Sequence, residues 1–319
     1  FSQIIPKTGN TYIGAPGAVF SGRDVCRFAF TGQATDVTIK YLEVIDFTCG
    51  LNEFVINHDT AARWTIQFCN VHDNMGAGVG VGTDTVIDHC WLHHNQQYGF
   101  SSYSPPLVSK ANSVTNMTIH HCEISHNGTR SLEYNPDGTP TWAGLSGAGK
   151  CWDTNGITIT DNWIHHSVHV AVWADTNNVH THIENNLFED NDAEAIFYEL
   201  SYNILIRNNT FRRNAIFKGK NWAGRSDNFP ISAVYLSEAG GDAAVTPATY
   251  DLSSIEGNTF VDNWGDVTLW ENADRFFPAG DTYHAYWPRG HGANPVDCNN
   301  PATKVLTCSV TAGSSIVNI

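Results

Sequence analysis

Basic residues are scarce in this chain, and their scarcity limits what it can bind. The 319 residues contain 17 lysines and arginines against 32 aspartates and glutamates, so the formal net charge is −15. Nucleic acids and anionic membrane surfaces attract basic patches, so this balance argues against both as partners. The sequence also lacks an apolar run long enough to cross a membrane as a helix. We therefore expect a protein that binds neither nucleic acid nor membrane.

A signal peptide is also missing from the start of the sequence. We expect that any such signal was removed or lay outside this sequence. The eight cysteines fit an oxidising compartment better than a reducing cytosol. Together these features predict a secreted, extracellular protein in which Cys298 pairs with Cys308, and Cys26 with Cys49.

What the sequence has in abundance is one recurring pattern. Seven anchor positions share it, namely Asn74, Asn95, Asn127, Ser167, Asn191, Asn214 and Asn263. Isoleucine stands eight residues before each anchor, at Ile66, Ile87, Ile119, Ile159, Ile183, Ile206 and Ile255. Chance does not place seven isoleucines at one offset, so the pattern predicts a structural unit of roughly twenty residues that recurs along the chain.

Short alternating runs indicate what this unit is. Segments such as Ile157-Thr158-Ile159 and Val170-Ala171-Val172 are rich in β-branched residues and are broken by Asn, Asp and Gly. This is typical of strands and turns, whereas helical repeats place apolar residues at i, i+3, i+4 and i+7. Short strands stacked in parallel, coil upon coil, predict an all-β fold, a right-handed parallel β-helix (a solenoid).

A second column supports the stacking. Five residues before the anchors the sequence has Cys69, Cys90, Cys122, Asn162, Asn186, Asn209 and Asn258. An inward-turned amide at a bend can hydrogen-bond the same amide one coil up, about 4.8 Å away. Cysteine is small and easily buried, so it can replace asparagine there. The three cysteines of this column either stay buried thiols or form disulfides.

The repeat resembles that of a known superfamily. Segments 183–188 and 206–211 are similar to the repeat of secreted, pectate-lyase-like right-handed parallel β-helix proteins, and segment 11–22 resembles the first coil of bacterial members. The resemblance covers roughly residues 10 to 275. It implies the fold and leaves the reaction open, because this fold hosts lyases, hydrolases, epimerases, phage tailspikes and adhesins.

A repeat chain grows by adding coils, so the length predicts one domain over residues 1–319. We expect an N-terminal coil and cap in 1–35, repeating coils in 36–275 and a non-repeating C-terminal cap or tail in 276–319. Insertions interrupt the rhythm after Tyr103 and around Thr129–Gly147, Lys218–Pro230 and Ala239–Thr249. In a solenoid such insertions leave the stack as long loops, often on the binding side.

Alignment of the coils predicts a functional face. Eight residues after the anchors comes a column of carboxylates, with Asp175, Glu199 and Glu271 on it, Asp153 if 152–155 matches 174–177, and Glu238 within one residue. Aromatic residues stand nearby, namely Trp152, Trp173, Tyr198, Tyr235 and Trp270. Strand alternation is expected to put both sets on the outward face. The result would be an acidic, aromatic-lined groove for an extended polysaccharide or oligosaccharide.

The spacing of coils suggests the chemistry. Carboxyl groups one or two coils apart would be separated by about 5 or about 10 Å. Glycoside hydrolysis uses pairs about 5–5.5 Å or about 6.5–9.5 Å apart. We therefore favour a glycoside hydrolase with Asp153, Asp175 and Glu199 as catalytic residues.

Two alternatives stay open. Ca²⁺ held by the carboxylates, with Lys150 removing a proton α to a uronate, would make a polysaccharide lyase. A structural or adhesive β-helix would bind glycan without cleaving it. No cofactor is required by the sequence, Ca²⁺ is a candidate, and no metal ligands can be assigned.

Histidines also align at one bend, at His72, His93, His94, His126, His165 and His166. This column suggests either metal binding or polar turn residues that stack, and we favour stacking.

Overall fold

The structure is a computed structural model that describes residues 3–57, 61–102, 114–129, 132–134, 140–142, 146–175, 178–199, 201, 203–222, 231–237, 253–270, 309–310 and 315–317. These residues form short strands and one helix, α1 (Ile216–Trp222). Three parallel sheets contain ten, ten and nine strands, and each of the first nine coils contributes one strand to each sheet. The prediction of an all-β, right-handed parallel β-helix is confirmed. Among the described residues, no helix is long and apolar enough to span a membrane.

Each sheet stacks its strands in the order of the coils. The first sheet consists of β1 (Thr11–Ile13), β4 (Thr38–Lys40), β7 (Thr65–Gln67), β10 (Val86–Asp88), β13 (Val114–His120), β18 (Thr154–Thr160), β21 (Val179–Glu184), β24 (Ile204–Arg207), β27 (Ser254–Glu256) and β30 (Ser309–Val310). The second consists of β2 (Val19–Ser21), β5 (Glu43–Ile45), β8 (Asn70–His72), β11 (Trp91–His93), β14 (Glu123–Ser125), β19 (Trp163–His165), β22 (Leu187–Glu189), β25 (Thr210–Arg212), β28 (Thr259–Val261) and β31 (Ser315–Val317). The third consists of β3 (Phe30–Thr31), β6 (Phe54–Asn57), β9 (Ala77–Gly80), β12 (Tyr98–Ser101), β17 (Gly147–Trp152), β20 (Val170–Asp175), β23 (Ile196–Glu199), β26 (Val234–Ser237) and β29 (Val267–Trp270).

The isoleucines of the repeat lie directly above one another. Ile159 pairs with Ile183 on the next strand, and Ile183 pairs with Ile206. All three are fully buried in the core that runs along the axis of the helix. The register predicted from the sequence is therefore confirmed.

The asparagine ladder predicted at the bends is also present. Between the first and second sheets, Asn186 Nδ2 donates to Asn209 Oδ1 at 3.0 Å, and Asn162 Nδ2 donates to Asn186 Oδ1 at 3.0 Å. The residue before each of these ladder positions is left-handed, as at Asn185 with φ 57°. Asn, Asp and His tolerate this conformation better than most residues do, which is why the bends are rich in them.

Cysteine continues the ladder at its other end. The Cys122 backbone N–H donates to Asn162 Oδ1 at 2.9 Å, so the thiol and amide columns are one. Cys69, Cys90 and Cys122 are buried thiols, so the first of the two alternatives for this column holds. Burial raises the pKa of the Cys90 thiol, so it stays protonated.

The predicted disulfides elsewhere stay predictions. Cys298 and Cys308 lie outside the described residues. The division of the chain into one domain with two caps also stays a prediction, although β30 and β31 pair with β27 and β28 at the C-terminal end.

Each of the four long insertions has one end at a strand of the third sheet. From β4–β5 to β27–β28, two residues separate the strands of the first and second sheets in every coil. The four insertions instead join β12 to β13, β14 to β17, β25 to β26 and β26 to β27. Two of them contain structured segments, the antiparallel hairpin β15 (Leu132–Tyr134) and β16 (Pro140–Trp142), and helix α1. The insertions therefore leave or rejoin the coils at the ends of strands of this one sheet.

Candidate functional site

Two columns of register partners run across the third sheet. One joins Lys150, Trp173, Phe197, Tyr235 and Thr268. The other joins Trp152, Asp175, Glu199, Ser237 and Trp270. Residues between the columns, such as Cys151 and Ala174, belong to the core. Alternation along β17, β20 and β23 therefore places the column members on these strands on the outer face, as predicted.

The register corrects the position of Asp153. Trp152, not Asp153, pairs with Asp175. Asp153 adopts a left-handed conformation with φ 51° between β17 and β18, so it turns the chain out of the third sheet. Asp153 therefore does not join Asp175 and Glu199 in one column.

The prediction that Tyr198 lies on the outer face is wrong. Its position pairs with Ala174 and Leu236, and its ring is fully buried in the core. The hydroxyl donates to the carbonyl of Asn178 at 3.1 Å. Tyr198 precedes Glu199, so alternation requires the two side chains to point to opposite faces.

Two predicted residues lie outside the described residues, Glu238 and Glu271. The column positions assigned to them belong to Ser237 and Trp270.

Lys150, Trp173, Asp175 and Glu199 form a connected group. Lys150 Nζ lies 2.8 Å from Asp175 Oδ2 and 3.5 Å from the centre of the Trp173 ring. Trp173 Nε1 donates to Glu199 Oε2 at 2.9 Å. Lys150 is 4% exposed and Glu199 is 3% exposed, so the charges are held where water screens them little. The tryptophan ring thus bridges the ammonium and the second carboxylate.

The aromatic column beside this group is packed rather than open. The Trp173 and Phe197 rings stack with centroids 5.7 Å apart, and Phe197 and Tyr235 with centroids 4.9 Å apart. Tyr235 is fully buried, so the prediction that its ring lines an open groove is wrong. Trp152 and Trp173 are partly exposed and keep a surface that a sugar ring could cover.

Sequence reasoning missed three polar residues near this group, two of them just before β20 and β23 and the third in helix α1. Lys218 Nζ lies 2.6 and 2.9 Å from the two carboxylate oxygens of Glu194, which is fully buried. The His169 ring centroid is 6.1 Å from that of Trp173. Burial, and then the positive charges of Lys218 and Lys150, hold the pKa of His169 well below its ordinary value. His169 is therefore neutral at physiological pH.

The sequence contains no repeating signal for these residues. Glu194 stands between an anchor and a strand, and Lys218 belongs to an insertion, so neither recurs at a fixed offset. The signal that marks Glu194 is its apolar surroundings, since it lies between Ala193 and Ala195. A carboxylate among such neighbours is rarely buried without a partner.

The donors on this face do not fit Ca²⁺. Calcium takes about six to eight oxygen ligands. Asp175 and Glu199 already accept from the Lys150 ammonium and the Trp173 N–H, and both of those groups are donors. Asp175 and Glu199 therefore do not form a Ca²⁺ site, and Ca²⁺ has no role in the function proposed below.

Comparison with known proteins agrees with this architecture. A search of curated proteins found no match. Among solved structures, the chain is similar to the A-module of mannuronan C-5 epimerase AlgE4 from Azotobacter vinelandii, with 14% identity, a TM-score of 0.52 and coverage of 85% of this chain and 76% of that one. It is also similar to an alginate lyase from Paenibacillus, with 13% identity, a TM-score of 0.47 and coverage of 83% and 88%. At such identities the likeness concerns the fold alone.

The family assignment comes from a sequence model. The model described as "Right handed beta helix region" matches residues 54–234, which is more than half of the chain. The matched segment contains Lys150, Trp173, Asp175 and Glu199. This chain therefore belongs to the right-handed β-helix family.

Proposed function

We propose that this protein is a secreted polysaccharide-degrading enzyme, a glycoside hydrolase that cleaves an extended glycan over the third sheet. The observation that carries the proposal is the pairing of Asp175 with Glu199 on adjacent strands, β20 and β23. The pair lies beside the partly exposed Trp152 and Trp173, on the sheet whose strands adjoin the four insertions. A fold neighbour named for its action on mannuronan supports a glycan as the substrate class.

The geometry favours retention of configuration. Adjacent strands are about 4.8 Å apart, and retaining glycosidases use carboxyl groups about 5–5.5 Å apart. Asp175 is held by the Lys150 ammonium and takes the role of nucleophile. Glu199, fixed by the Trp173 N–H, takes the role of acid and base.

The reaction then runs in two steps. Asp175 attacks the anomeric carbon while Glu199 gives its proton to the departing glycosidic oxygen, and the carbon–oxygen bond breaks. Glu199 next takes a proton from water, whose oxygen attacks the same carbon and releases Asp175.

The contacts of Lys150 favour hydrolysis over elimination. A base must present a lone pair, whereas Lys150 Nζ donates to Asp175 at 2.8 Å and faces the Trp173 ring at 3.5 Å. We therefore assign Lys150 as a positioning residue for Asp175.

A panel of neutral and uronate polysaccharides tests the proposal. Hydrolysis releases reducing ends without ultraviolet-absorbing unsaturated ends, elimination releases both, and an adhesive protein releases neither. Asp175→Asn and Glu199→Gln should each lower the rate by about 10²–10⁴-fold. Asp161→Asn, in an exposed left-handed turn, is the matched control and should retain full activity. Full activity in both site variants would overturn the assignment.

Azide separates the two roles. Azide should restore bond cleavage to Asp175→Ala by replacing the nucleophile, and the product should be a glycosyl azide of inverted configuration. With Glu199→Ala, the azide product should have retained configuration. Formation of unsaturated ends in any variant would instead favour elimination.

A further inference from the structure

A cluster of two histidines and one aspartate lies at the junction of the first and second sheets, the edge that does not border the third sheet. Asp88 ends β10 and pairs in register with His120, which ends β13. His121 follows in the left-handed position of the next turn, with φ 53°. The cluster therefore joins two consecutive coils.

The ligand atoms form a small triangle. His120 Nδ1 and His121 Nδ1 lie 2.8 Å apart. Asp88 Oδ1 lies 3.5 Å from the former and 3.7 Å from the latter. Among the described residues, only this group brings three ligand atoms of His, Cys, Asp or Glu within 4.8 Å of one another.

We propose that Asp88, His120 and His121 bind a divalent transition metal ion, with Zn²⁺ as the best fit. Zinc binds imidazole nitrogen and carboxylate oxygen at about 2.0–2.2 Å in a tetrahedron, which separates the ligand atoms by about 3.3 Å. The three edges of the triangle, from 2.8 to 3.7 Å, bracket that value. Hard cations such as Ca²⁺ and Mg²⁺ prefer sites made of oxygen alone.

Neighbouring side chains orient the carboxylate. Gln67 Nε2 donates to Asp88 Oδ2 at 2.9 Å, which leaves Oδ1 facing the imidazoles. His89 Nδ1 lies 2.5 Å from the same Oδ1, and the His89 ring stacks on His121 with centroids 4.8 Å apart. Such outer contacts hold metal ligands in place before binding.

The cluster is reachable from solvent. The side chain of Asp88 is 11% exposed, that of His120 28% and that of His121 48%. Three protein ligands leave the fourth tetrahedral position for water. The short contact between the two Nδ1 atoms requires one ring to donate its proton, so metal binding needs only a change of tautomer to Nε2–H in that ring.

The other bend differs from this one. There His94, His126 and His166 stack face to face, with ring centroids 4.8 and 5.0 Å apart. Stacked rings present parallel faces, and among the described residues no three ligand atoms of His, Cys, Asp or Glu converge at this bend. The expectation of stacking is confirmed for these histidines, which follow the strands of the second sheet. The proposed metal site lies at the other bend, between the first and second sheets.

Binding would link one coil to the next. Asp88 belongs to one coil and both histidines to the following one. A ligand that binds only the folded state raises its stability by mass action. Zinc should therefore raise the unfolding temperature of the whole protein.

Calorimetric titration of untagged, chelator-treated full-length protein with ZnCl₂ tests the site. One ion should bind per chain, and Co²⁺ should give the visible absorption bands of a tetrahedral complex. His120→Gln and His121→Asn should each weaken zinc binding by at least about tenfold and lose the rise in unfolding temperature. Asn is chosen at 121 because it tolerates a left-handed backbone.

Matched controls decide the outcome. His182→Gln, an exposed histidine on the first sheet, should bind zinc as the parent does. Asp88→Asn keeps an acceptor for Gln67, so it provides a folded variant if a histidine change disturbs the turn. Absence of stoichiometric binding by the parent, or parental affinity in Asp88→Asn and His120→Gln, would overturn the proposal.

Discussion

Replacing Asn186 with alanine would remove a buried amide that ties three coils together. Asn186 Nδ2 lies 2.9 Å from the carbonyl oxygen of Ile159, 3.0 Å from that of Glu184 and 3.0 Å from Asn209 Oδ1. Asn186 Oδ1 accepts from the backbone N–H of Asn162 at 2.9 Å and from its Nδ2 at 3.0 Å.

The expected loss follows from these contacts. Each net hydrogen bond contributes about 1 kcal/mol, and a buried donor left without an acceptor costs about 1–3 kcal/mol. Asn162 Nδ2 keeps its bond to Ile119, which limits the damage. We expect Asn186→Ala to lower the free energy of unfolding by about 3–5 kcal/mol, a large part of the total for a domain.

Urea unfolding followed by circular dichroism measures this loss. Asn185→Gly is the matched control, because Asn185 is the exposed neighbour with φ 57°, which glycine adopts freely. The control should change the free energy of unfolding by less than about 0.5 kcal/mol. If Asn186→Ala loses no more than the control, the amide ladder does not hold the coils together and the reasoning fails.

Two further predictions concern pH. Burial raises the pKa of Asp192 to about 7. Between about pH 4 and pH 7 the unfolded state therefore releases a proton that the folded state keeps. The free energy of unfolding should fall by up to about 3 kcal/mol over this range. Asp192→Asn should flatten this fall in urea titrations, and an unchanged slope would contradict it. Burial, and then the nearby His72 and His94, lower the pKa of His93 to about 4. As pH drops from about 6.5 to about 4, the unfolded state takes up a proton before the folded state does, so the free energy of unfolding falls. His93→Gln should reduce this acid loss, and the same acid profile in the variant would count against it.

Much of the fold could be predicted from the sequence, because a solenoid repeats the same spacing of strands and bends in each coil. Ile159, Ile183 and Ile206 stack because each coil has the same length between strand and bend. Asp175 and Glu199 share one column for the same reason. An insertion precedes β17, so Asp153 was assigned by matching 152–155 to 174–177, and that match is one residue out of register.

The errors on the outer face have a different origin. Strand alternation alone requires the side chains of Tyr198 and Glu199 to point to opposite faces of the sheet, so the sequence was sufficient to place Tyr198 in the core. The burial of Tyr235 could not be predicted from the sequence, because periodicity records which face a residue occupies and not whether another segment covers that face.

Sequence alone determined the parallel stacking of short strands, the register of the coils and the face that carries Asp175 and Glu199, because short-range spacing repeats with the coil. Only the tertiary structure decided which charges meet. Lys150 reaches Asp175 from one strand to the next, and Asp88 reaches His120 from one coil to the next. Such contacts depend on side-chain direction and on neighbours distant along the chain, and a pattern of spacings contains neither.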